Sequence, residues 1–488
     1  MVTSITQQLV DLLGPDNLVP QDRLDEYRVD GLTPQAAVRP GNRHQIGETL
    51  AWAASQNIGV FPRGGGTQLV LGNIPNQVDL SLDLGRCNQI LDYQPSDLTV
   101  SVESGIILDV LQRELAQGGK FLPLEAPMSH KATVGGILAS SASGPLRTAY
   151  GLPRDWLIGI KVAGSQGFET KAGGKVVKNV TGYDLGKLYT GSLGTLGVIV
   201  EATFKLTPLA LDSGALWAKF SSTERGVESG AQLLRHTCAP QGLQVVDDLA
   251  GRRLAQRLNQ GTGEGAVTLS LPEPGSGGAA LAAFFSGRNR AVRRKLQEAA
   301  QLLRDKGASQ IEILDSTQSS ALLRNLTDLG WDEDMTPLVG LRISVRPSAV
   351  APVLRWVEER STPGPEDVLS HDDLESRPSI VADPGFGSVR LLWWSKIDRS
   401  SGSEHGAGPS NGYFEGLDYY RLLMLIHRVR SMARDLGGSV LVEHVPLAIK
   451  AQIDVWGDPP EGIEIMRRIK QKLDPAGILN PGRFVGGI

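Results

Sequence analysis

The alternation of apolar and polar residues predicts short helices and strands over the first 210 residues. Residues 42–56 have apolar side chains at helical spacing, and so do residues 108–117, which two glycines close. Residues 78–82 and 98–102 alternate with the period of a half-buried strand. Residues 35–210 are therefore predicted to form one α+β domain, in which glycine-marked turns join the elements.

The sequence pattern changes at about residue 211, where arginine-rich helical segments begin to alternate with short apolar strands. Helices are predicted at 251–259, 290–306 and 417–436, and strands at 267–271, 311–314 and 338–345. Two segments dense in Pro, Gly, Ser and Asp, at 361–379 and 395–416, are predicted to be long surface loops. These patterns predict a second α+β domain over residues 211–440.

Each end of the chain carries one amphipathic helical pattern. Residues 1–34 form an N-terminal segment, with Leu9, Leu12 and Leu13 on one side of a short helix. Residues 441–488 form a C-terminal segment, which begins with a strand and ends with a helix near residues 462–473.

The first chemical signal is a run of glycines within residues 61–68, directly after a predicted strand. Glycine has no Cβ, so consecutive glycines can take positive φ and let the main chain approach an anion such as a phosphate. The spacing is not G-x-G-x-x-G, because Leu69 stands at the third glycine position, and residues 182–188 lack the length and the Ser or Thr of a P-loop. An ordinary glycine turn remains an alternative here.

Four more stretches accompany the glycine run, namely residues 133–144, 178–185, 191–200 and 473–484. In this order and at these separations, they resemble the FAD-binding half and the C-terminal signature of the vanillyl-alcohol oxidase (p-cresol methylhydroxylase) flavoprotein family. Within that family, the chain is most similar to the FAD-binding subunit of bacterial glycolate oxidase. The resemblance implies a two-lobed FAD-binding domain, an α+β substrate or cap domain, and a C-terminal helix that returns to the flavin.

The resemblance also implies which residues hold the cofactor. The glycine loop is expected to bind the pyrophosphate. The second loop, residues 133–144, is expected to face the flavin, and the strand near residue 199 to lie beside the adenine. The cofactor residues implied are Arg63, Gly64, Gly65, Gly66, Thr67, Gln68, Thr133, Gly135, Gly136, Ser140, Val198, Ile199, Val200, Asn480 and Arg483. Several relatives attach FAD through a histidine in one of these loops, but this glycine loop has none and His130 precedes the second loop. Non-covalent FAD is therefore expected.

A second motif bears on the chemistry. Metal-using relatives carry an H-x-G-D-G-N-L-H segment and, later, a Glu-His pair. Residues 383–390 align with that segment, but Asp383 and Arg390 replace its two histidines, while Glu443 and His444 match the later pair. A fixed positive charge at a ligand position opposes metal binding, so no metal is predicted. One imidazole and two carboxylates could still bind a divalent ion, and a residual metal site remains an alternative.

The predicted catalytic residues follow from what oxidation of a 2-hydroxy acid requires. Arg390 is predicted to bind the substrate carboxylate and His444, beside Glu443, to take the hydroxyl proton. By resemblance, Lys178 and Tyr183 lie along the flavin edge. The alternatives are an ordinary ion pair between Arg390 and Glu443, a solvated Lys178 and a packed Tyr183.

Composition narrows the function classes. The net charge of −4 does not suggest a nucleic-acid-binding protein, and two cysteines cannot hold an iron–sulfur cluster, which typically needs four. No run of about 20 apolar residues predicts a membrane span, and the first residues do not resemble a signal peptide. A cytoplasmic protein is expected, associated with a membrane only through a partner.

The leading interpretation is an FAD-dependent oxidoreductase that oxidises a glycolate- or D-lactate-type 2-hydroxy acid. By resemblance, its electrons pass to a hetero-oligomeric partner, with an iron–sulfur subunit and a sister flavoprotein subunit as the expected partners. The first alternative is a non-catalytic subunit that holds FAD for structure or electron relay in a glycolate oxidase-like complex. The second is a nicotinamide-using reductase of the same fold.

Overall fold

The computed structural model describes residues 4–174, 183–260, 269–332, 336–361, 377–395 and 419–488. The chain divides into two compact units, which are described separately. Unit 1 consists of residues 1–143, 152–209 and 450–488, and unit 2 consists of residues 144–151 and 210–449. Helices and strands are mixed in both units, which confirms the predicted α+β class.

The α-helices of the described residues are α1 (Ile5–Leu13), α2 (Arg43–Gln56), α3 (Leu108–Gln117), α4 (Val134–Ser140), α5 (Arg147–Tyr150), α6 (Pro153–Trp156), α7 (Leu185–Tyr189), α8 (Thr223–Leu234), α9 (Asp248–Gln260), α10 (Asn289–Asp305), α11 (Ser316–Asp328), α12 (Val350–Ser361), α13 (Tyr419–Asp435), α14 (Leu447–Lys450) and α15 (Ile463–Leu473). Over these ranges, no helix combines the length and the apolar character that crossing a bilayer requires.

The strands are β1 (Ala36–Val38), β2 (Val60–Arg63), β3 (Leu80–Asp83), β4 (Ile90–Gln94), β5 (Thr99–Glu103), β6 (Lys120–Phe121), β7 (Leu157–Ala163), β8 (Glu169–Gly173), β9 (Val198–Lys205), β10 (Thr207–Pro208), β11 (Asp212–Phe220), β12 (Gly242–Asp247), β13 (Ala279–Gly287), β14 (Gln310–Leu314), β15 (Val339–Ser344), β16 (Ser379–Asp383), β17 (Ser388–Trp393) and β18 (Ser439–His444).

Unit 1 is built on two main sheets, each with its own hydrophobic core, beside a two-stranded sheet of β6 and β10. A parallel sheet has the order β1-β3-β2, and an antiparallel sheet has the order β4-β5-β9-β7-β8. Strand β9 belongs to both cores, because Val198 and Val200 pack with Leu50 and Val60 while Ile199 packs with the side chains around α3. The alternation along β9 therefore ties the two lobes of unit 1 together.

The predicted helix at 42–56 is confirmed, and its ends have clear local causes. The side chain of Asn42 accepts a hydrogen bond from the amide of Gln45, which caps the first turn of α2, and Asn57 ends the helix in a left-handed conformation. Ile46 and Leu50 are fully buried on one face. Burying a leucine of this kind contributes about 1.5–3 kcal/mol.

Unit 2 is organised around one antiparallel sheet with the strand order β14-β11-β13-β12-β16-β17-β15-β18. Helices α9 and α11 cover one face, where their leucines pack on alternate residues of the central strands. Helices α8, α10 and α12 also pack onto this sheet. In the β15–β17 pair, Arg342 lies directly opposite Arg390, which places two arginines side by side on the same face of the sheet.

The structure corrects several element predictions in unit 2. Strand β13 was not anticipated, because its alanine-rich sequence favours a helix, yet it lies between β11 and β12 with seven consecutive buried residues. The strand predicted at 267–271 is absent from residues 269–271, and its first two residues lie outside the described ranges. The predicted loops at 361–379 and 395–416 fall largely outside those ranges as well.

Two predicted boundaries also differ from the units observed. Strand β18 was assigned to the C-terminal segment, but it pairs with β15 and so belongs to unit 2, whose chain continues to residue 449. At the other end, the predicted N-terminal segment 1–34 belongs to unit 1, where α1 packs against α2.

Candidate functional site

The glycine loop, residues 63–68, begins at the end of β2 and offers a run of unused backbone donors. In the described part of the chain, no protein acceptor is found for the amides of Gly64, Gly65, Gly66, Thr67 and Gln68. Gly65 is exposed and the other four residues are half-buried, so these amides are accessible, and consecutive accessible amides of this kind form anion-binding sites. A phosphate-bearing cofactor is a suitable anion.

The glycines are needed because this loop packs directly against the second one. A Cβ on Gly65 would lie 1.7 Å from the carbonyl oxygen of Lys131, and a Cβ on Gly64 would lie 2.1 Å from Oγ1 of Thr133. Positive φ, expected for the run, is found at Gly66 alone within it, with φ +74°. The constraint at Gly65 is therefore backbone contact and not positive φ.

The first amides of the second loop, in contrast, are engaged within the protein. The amide of Gly135 donates to the carbonyl of Ser104 at 2.7 Å, and that of Gly136 donates to Oγ1 of Thr133 at 3.3 Å. The hydroxyl of Ser140 donates to the carbonyl of Gly136 at 2.8 Å. These groups hold α4 and its cap, so this loop supports the glycine loop and contributes few free donors.

The strand predicted to lie beside the adenine is β9. The side chains of Val198, Ile199 and Val200 are each less than 5% exposed and belong to the two cores of unit 1. Their contact with the adenine stays a prediction.

The C-terminal turn packs against the strand that leads into the glycine loop, and its expected contact with the flavin stays a prediction. Leu479 pairs in parallel with Val60 of β2, and the amide of Asn480 donates to the carbonyl of Val60 at 3.0 Å. The side-chain amide of Asn480 donates to the carbonyl of Leu193 at 2.5 Å. This turn therefore joins the strand that leads into the glycine loop to the loop at residues 191–197.

Arg483 was expected to bind the cofactor, but its side chain is engaged inside the protein. Its guanidinium is 3% exposed, pairs with Asp30 at 2.6 Å and donates to the carbonyls of Leu69 and Asn73. Arg63 likewise directs its guanidinium to the carbonyl of Glu26 at 2.6 Å. Arg483 is therefore buried and engaged inside the protein. Arg63 is half-buried and donates through Nη1 in the described part of the chain, and its contact with the cofactor stays a prediction.

The remaining polar groups of unit 1 fit a large polar cofactor. Among the described residues, Gln68 Oε1, Ser104 Oγ and Asn480 Oδ1 are buried without a hydrogen-bond partner. Such atoms are rare in native proteins and indicate a group or a water that the structure does not contain. With the free amides of the glycine loop, these residues suit the pyrophosphate and polar edges of FAD.

A second set of groups lies in unit 2, where the structure brings Arg390, Glu443 and His444 together. Nε of Arg390 donates to Glu443 at 2.9 Å, and Nη1 donates to the carbonyl of Leu329 at 2.7 Å. Within the described ranges, Nη2 of Arg390 is buried and has no partner. The ion pair that was one alternative does form, and it leaves one donor of Arg390 unused.

Local backbone features place the Glu443–His444 pair. The register between β15 and β18 shifts after Gly340, which pairs with His444, so that Glu443 occupies a β-bulge. A Cβ on Gly340 would lie 2.9 Å from Cδ2 of His444, so the missing side chain makes room for the imidazole. The ring of Trp331 packs on that imidazole at 5.0 Å.

Two further arginines, which the sequence did not single out, complete this cluster. Arg342 pairs with Glu443 at 3.2 Å, and Arg147 pairs with Asp383 at 2.9 Å. Asp383 also accepts the amides of Gly385 and Phe386, so the position of the first motif histidine holds a turn. The signal that could have revealed Arg342 is a lone charge at the centre of an apolar strand.

The electrostatics of the cluster favour an anion. Burial alone would raise the pKa of Glu443, but the charges of Arg390 and Arg342, with the hydrogen bond from Arg390, outweigh it and lower this pKa overall. The pKa of Arg342 is lowered, first by burial and then by Arg147 and Arg390 against the opposing effect of Glu443. Three arginines face two carboxylates, which leaves one positive charge for a monovalent anion.

Replacing Glu443 by glutamine should destabilise unit 2 at neutral pH by about 3–5 kcal/mol, because two arginines lose their carboxylate. A carboxylate with a lowered folded pKa stabilises the protein above its unfolded pKa, near 4.5, and this stability is lost as the pH falls through the folded value. The variant should therefore lose less stability in acid than the unchanged chain.

Urea unfolding followed by tryptophan fluorescence, from about pH 7 down to about pH 3, measures this effect. The control is Glu298→Gln, since that glutamate makes an exposed pair with Arg294 at 3.5 Å. Equal acid sensitivity of Glu443→Gln and the unchanged chain would show that the pair carries no pH dependence.

Lys178 and Tyr183, the other predicted catalytic residues, belong neither to the glycine-loop groups nor to the arginine cluster as described. Lys178 lies outside the described residues, and the side chain of Tyr183 is 94% exposed. Tyr183 is thus not packed, and its role at the flavin stays a prediction. His130 is exposed. Within the described ranges, no group of three or more His, Cys, Asp or Glu side chains is arranged to hold a metal ion.

Comparison with known proteins adds two family matches. Residues 34–173 match the FAD binding domain, and residues 418–484 match the C-terminal domain of the FAD linked oxidases. The first match contains the glycine loop and the second loop. The second contains Glu443, His444 and the C-terminal turn.

Relatives that align over almost the whole chain include two with named substrates. The glycolate oxidase subunit GlcD of Bacillus subtilis is 24% identical and covers 99% of this chain and 97% of its own. D-2-hydroxyglutarate dehydrogenase of Stutzerimonas stutzeri is 29% identical and covers 99% and 98%. Among solved structures, p-cresol methylhydroxylase superposes with a TM-score of 0.69 at 19% identity, over 98% of this chain and 95% of its own. This last likeness supports the predicted fold.

Proposed function

We propose that this chain, an FAD-linked oxidoreductase with an FAD-binding domain of the p-cresol methylhydroxylase type, oxidises a small 2-hydroxy acid to the corresponding 2-oxo acid. The observation that carries the proposal is the cluster of Arg147, Arg342 and Arg390 around two carboxylates, with Nη2 of Arg390 buried and unused. An excess positive charge with a spare donor is suited to a substrate carboxylate.

In this proposal, each group has a defined task. The amides of the glycine loop bind the pyrophosphate of FAD, and Nη2 of Arg390 binds the substrate carboxylate. His444 accepts the proton of the substrate hydroxyl, and the neighbouring Glu443 stabilises the imidazolium that results. FAD, when bound, supplies the chemistry by accepting the hydrogen at C2 together with two electrons.

The names of the relatives support the same reaction class. The relatives described above are named for glycolate and D-2-hydroxyglutarate, which are both 2-hydroxy acids. We infer that FAD is held without a covalent bond, because the glycine loop contains no histidine and His130 is exposed.

An anaerobic titration tests the proposal. The purified chain, loaded with FAD, is mixed with glycolate, D-lactate or D-2-hydroxyglutarate, and the loss of flavin absorbance is followed. Bleaching by at least one acid, with an equal amount of 2-oxo acid formed, is expected. If dithionite bleaches the flavin and none of the acids does, catalysis does not reside in this chain.

The second candidate function is a subunit that holds FAD without catalysis. It is favoured by the ion pairs at the two aligned motif positions, because Asp383 is engaged with Arg147 and Arg390 with Glu443. In that case, a sister flavoprotein subunit would carry out the oxidation. The titration above separates the two, since a non-catalytic subunit keeps its flavin oxidised with every acid.

We further propose that the electrons leave through a partner protein that bears iron–sulfur clusters, in the cytoplasm or at a membrane that the partner reaches. Support comes from the relative named as a glycolate oxidase subunit and from the presence of two cysteines in the whole chain. Reoxidation of photoreduced flavin by air should accordingly be slow and should accelerate with an artificial acceptor. Rapid reoxidation by oxygen alone would make a partner unnecessary.

A further inference from the structure

Three buried charged residues of unit 1 contact one another and the segment at residues 69–73, which follows the glycine loop. Asp30, Lys450 and Arg483 have side chains that are 3%, 5% and 3% exposed. One carboxylate oxygen of Asp30 accepts Lys450 at 2.6 Å, and the other accepts Arg483 at 2.6 Å. We call these three residues the buried triad.

The two cations of the buried triad bind the carbonyls of one short segment. Arg483 donates to the carbonyls of Leu69, Leu71 and Asn73, and Lys450 donates to that of Val70 at 2.9 Å. The carbonyl and amide of a trans peptide point in opposite directions. Because these carbonyls are directed to the cations, the segment that leaves the glycine loop has a fixed orientation.

Further contacts fix the same segment. The carbonyl of Arg483 accepts the amide of Asn73 at 2.9 Å and the indole of Trp456 at 3.0 Å. A Cβ on Gly72, whose φ is +91°, would lie 2.7 Å from that carbonyl. The segment at residues 69–73 is therefore fixed by Arg483 and Trp456, which are hundreds of residues away in sequence.

The charge of the buried triad is not balanced. Two cations share one carboxylate, so the buried triad carries one net positive charge while Lys450 is protonated. Isolated buried charges are costly, and they persist where an anion compensates them. The free amides of the glycine loop mark the place where an anion binds.

We propose that Asp30, Lys450 and Arg483 are positioning residues for the cofactor, and that the charge of Lys450 strengthens the binding of the FAD pyrophosphate by the glycine loop. The proposal rests on the role assigned to that loop above. It does not depend on which substrate the enzyme oxidises, so substrate-driven flavin reduction and FAD affinity test different claims.

The pH at which this charge is lost is accessible to measurement. Burial lowers the pKa of Lys450 to about 8, with Asp30 opposing and Arg483 adding to this effect. Below this value the buried triad carries its excess positive charge, and above it the triad is neutral. FAD affinity is therefore expected to fall as the pH rises through about 8, and bound FAD should raise the pKa of Lys450.

The experiment measures FAD dissociation constants of the full chain at about pH 7 and about pH 9 by flavin fluorescence. The unchanged chain should bind about 3- to 10-fold more weakly at the higher pH, since one linked proton changes affinity by at most tenfold per pH unit. Lys450→Met should bind about 10- to 100-fold more weakly at the lower pH, with little further change. Lys450→Arg, which keeps its charge, should bind tightly at both.

Two further measurements separate this role from a general loss of stability. Lys161→Met is the control, because Lys161 forms a half-buried pair with Glu201 at 2.7 Å in unit 1, and its FAD affinity should match the unchanged chain at both pH values. The melting temperature of each apo variant is also recorded. A purely structural role would weaken FAD binding equally at both pH values. That result, or unchanged affinity in Lys450→Met, would overturn the proposal.

Discussion

Chains carrying Gly65→Ala are expected to be purified without FAD. The added Cβ would lie 1.7 Å from the carbonyl oxygen of Lys131 and 2.7 Å from its carbon, and neither atom belongs to a side chain that could rotate away. The glycine loop and the second loop would have to separate, which would displace the five free amides. Overpacking of this kind costs about 1–3 kcal/mol, which corresponds to an affinity about 5- to 150-fold weaker.

The quantity to measure is the FAD released into the supernatant by acid precipitation, per mole of protein, together with the dissociation constant of the apo chain. Release by acid also tests non-covalent binding in the unchanged chain. Gly164→Ala is the control, since its Cβ would make an ordinary contact at 3.7 Å with the carbonyl of Phe168 in the same unit. A full complement of FAD in Gly65→Ala would remove the glycine loop from the cofactor site.

Replacing Arg390 by methionine should abolish the reduction of bound flavin by a 2-hydroxy acid and leave the flavin in place. The change removes the donor proposed to bind the substrate carboxylate and also the excess positive charge of the cluster. Arg342 continues to pair with Glu443, so the carboxylate keeps one partner. Breaking a buried, charged interaction costs about 3–5 kcal/mol, so kcat/KM should fall by about two to four orders of magnitude.

Two controls interpret the Arg390 result. Arg346→Met removes an exposed arginine that follows β15 in the same unit and should leave kcat/KM unchanged. FAD content and reduction by dithionite should be equal in the unchanged chain, Arg390→Met and Arg346→Met, because both substitutions are in unit 2 and the glycine loop is in unit 1. Reduction at the original rate in Arg390→Met would show that the carboxylate is bound elsewhere, and the substrate role of the cluster would have to be abandoned.

Local sequence patterns were sufficient to predict those elements whose structure depends on interactions between neighbouring residues. Helix α2 has an Asn cap, apolar residues at helical spacing and a left-handed Asn at its end, so its bounds could be predicted closely. Strand β13 shows the opposite case. Its Ala-Ala-Leu-Ala-Ala sequence favours a helix, and only pairing with two neighbouring strands makes it the buried centre of a sheet.

The same distinction holds for the candidate site. The glycine loop could be recognised from the sequence because a run of glycines is informative by itself. The role of Arg483 could not be predicted, because its partner Asp30 is 453 positions away and an arginine at this place is equally suited to bind a phosphate. Lys450 could have been suspected as the lone charge after the apolar residues 445–449, but nothing in the sequence names its partner.

In the function proposed, this chain with FAD bound removes hydrogen from C2 of a 2-hydroxy acid. Anaerobic stopped-flow mixing of the FAD-loaded chain with the acid that bleaches it, carrying either protium or deuterium at C2, measures this step. We expect flavin absorbance to be lost in a single turnover, more slowly with deuterium, and one 2-oxo acid to form per FAD. Flavin that stays oxidised with every 2-hydroxy acid, yet is reduced by dithionite, would contradict it.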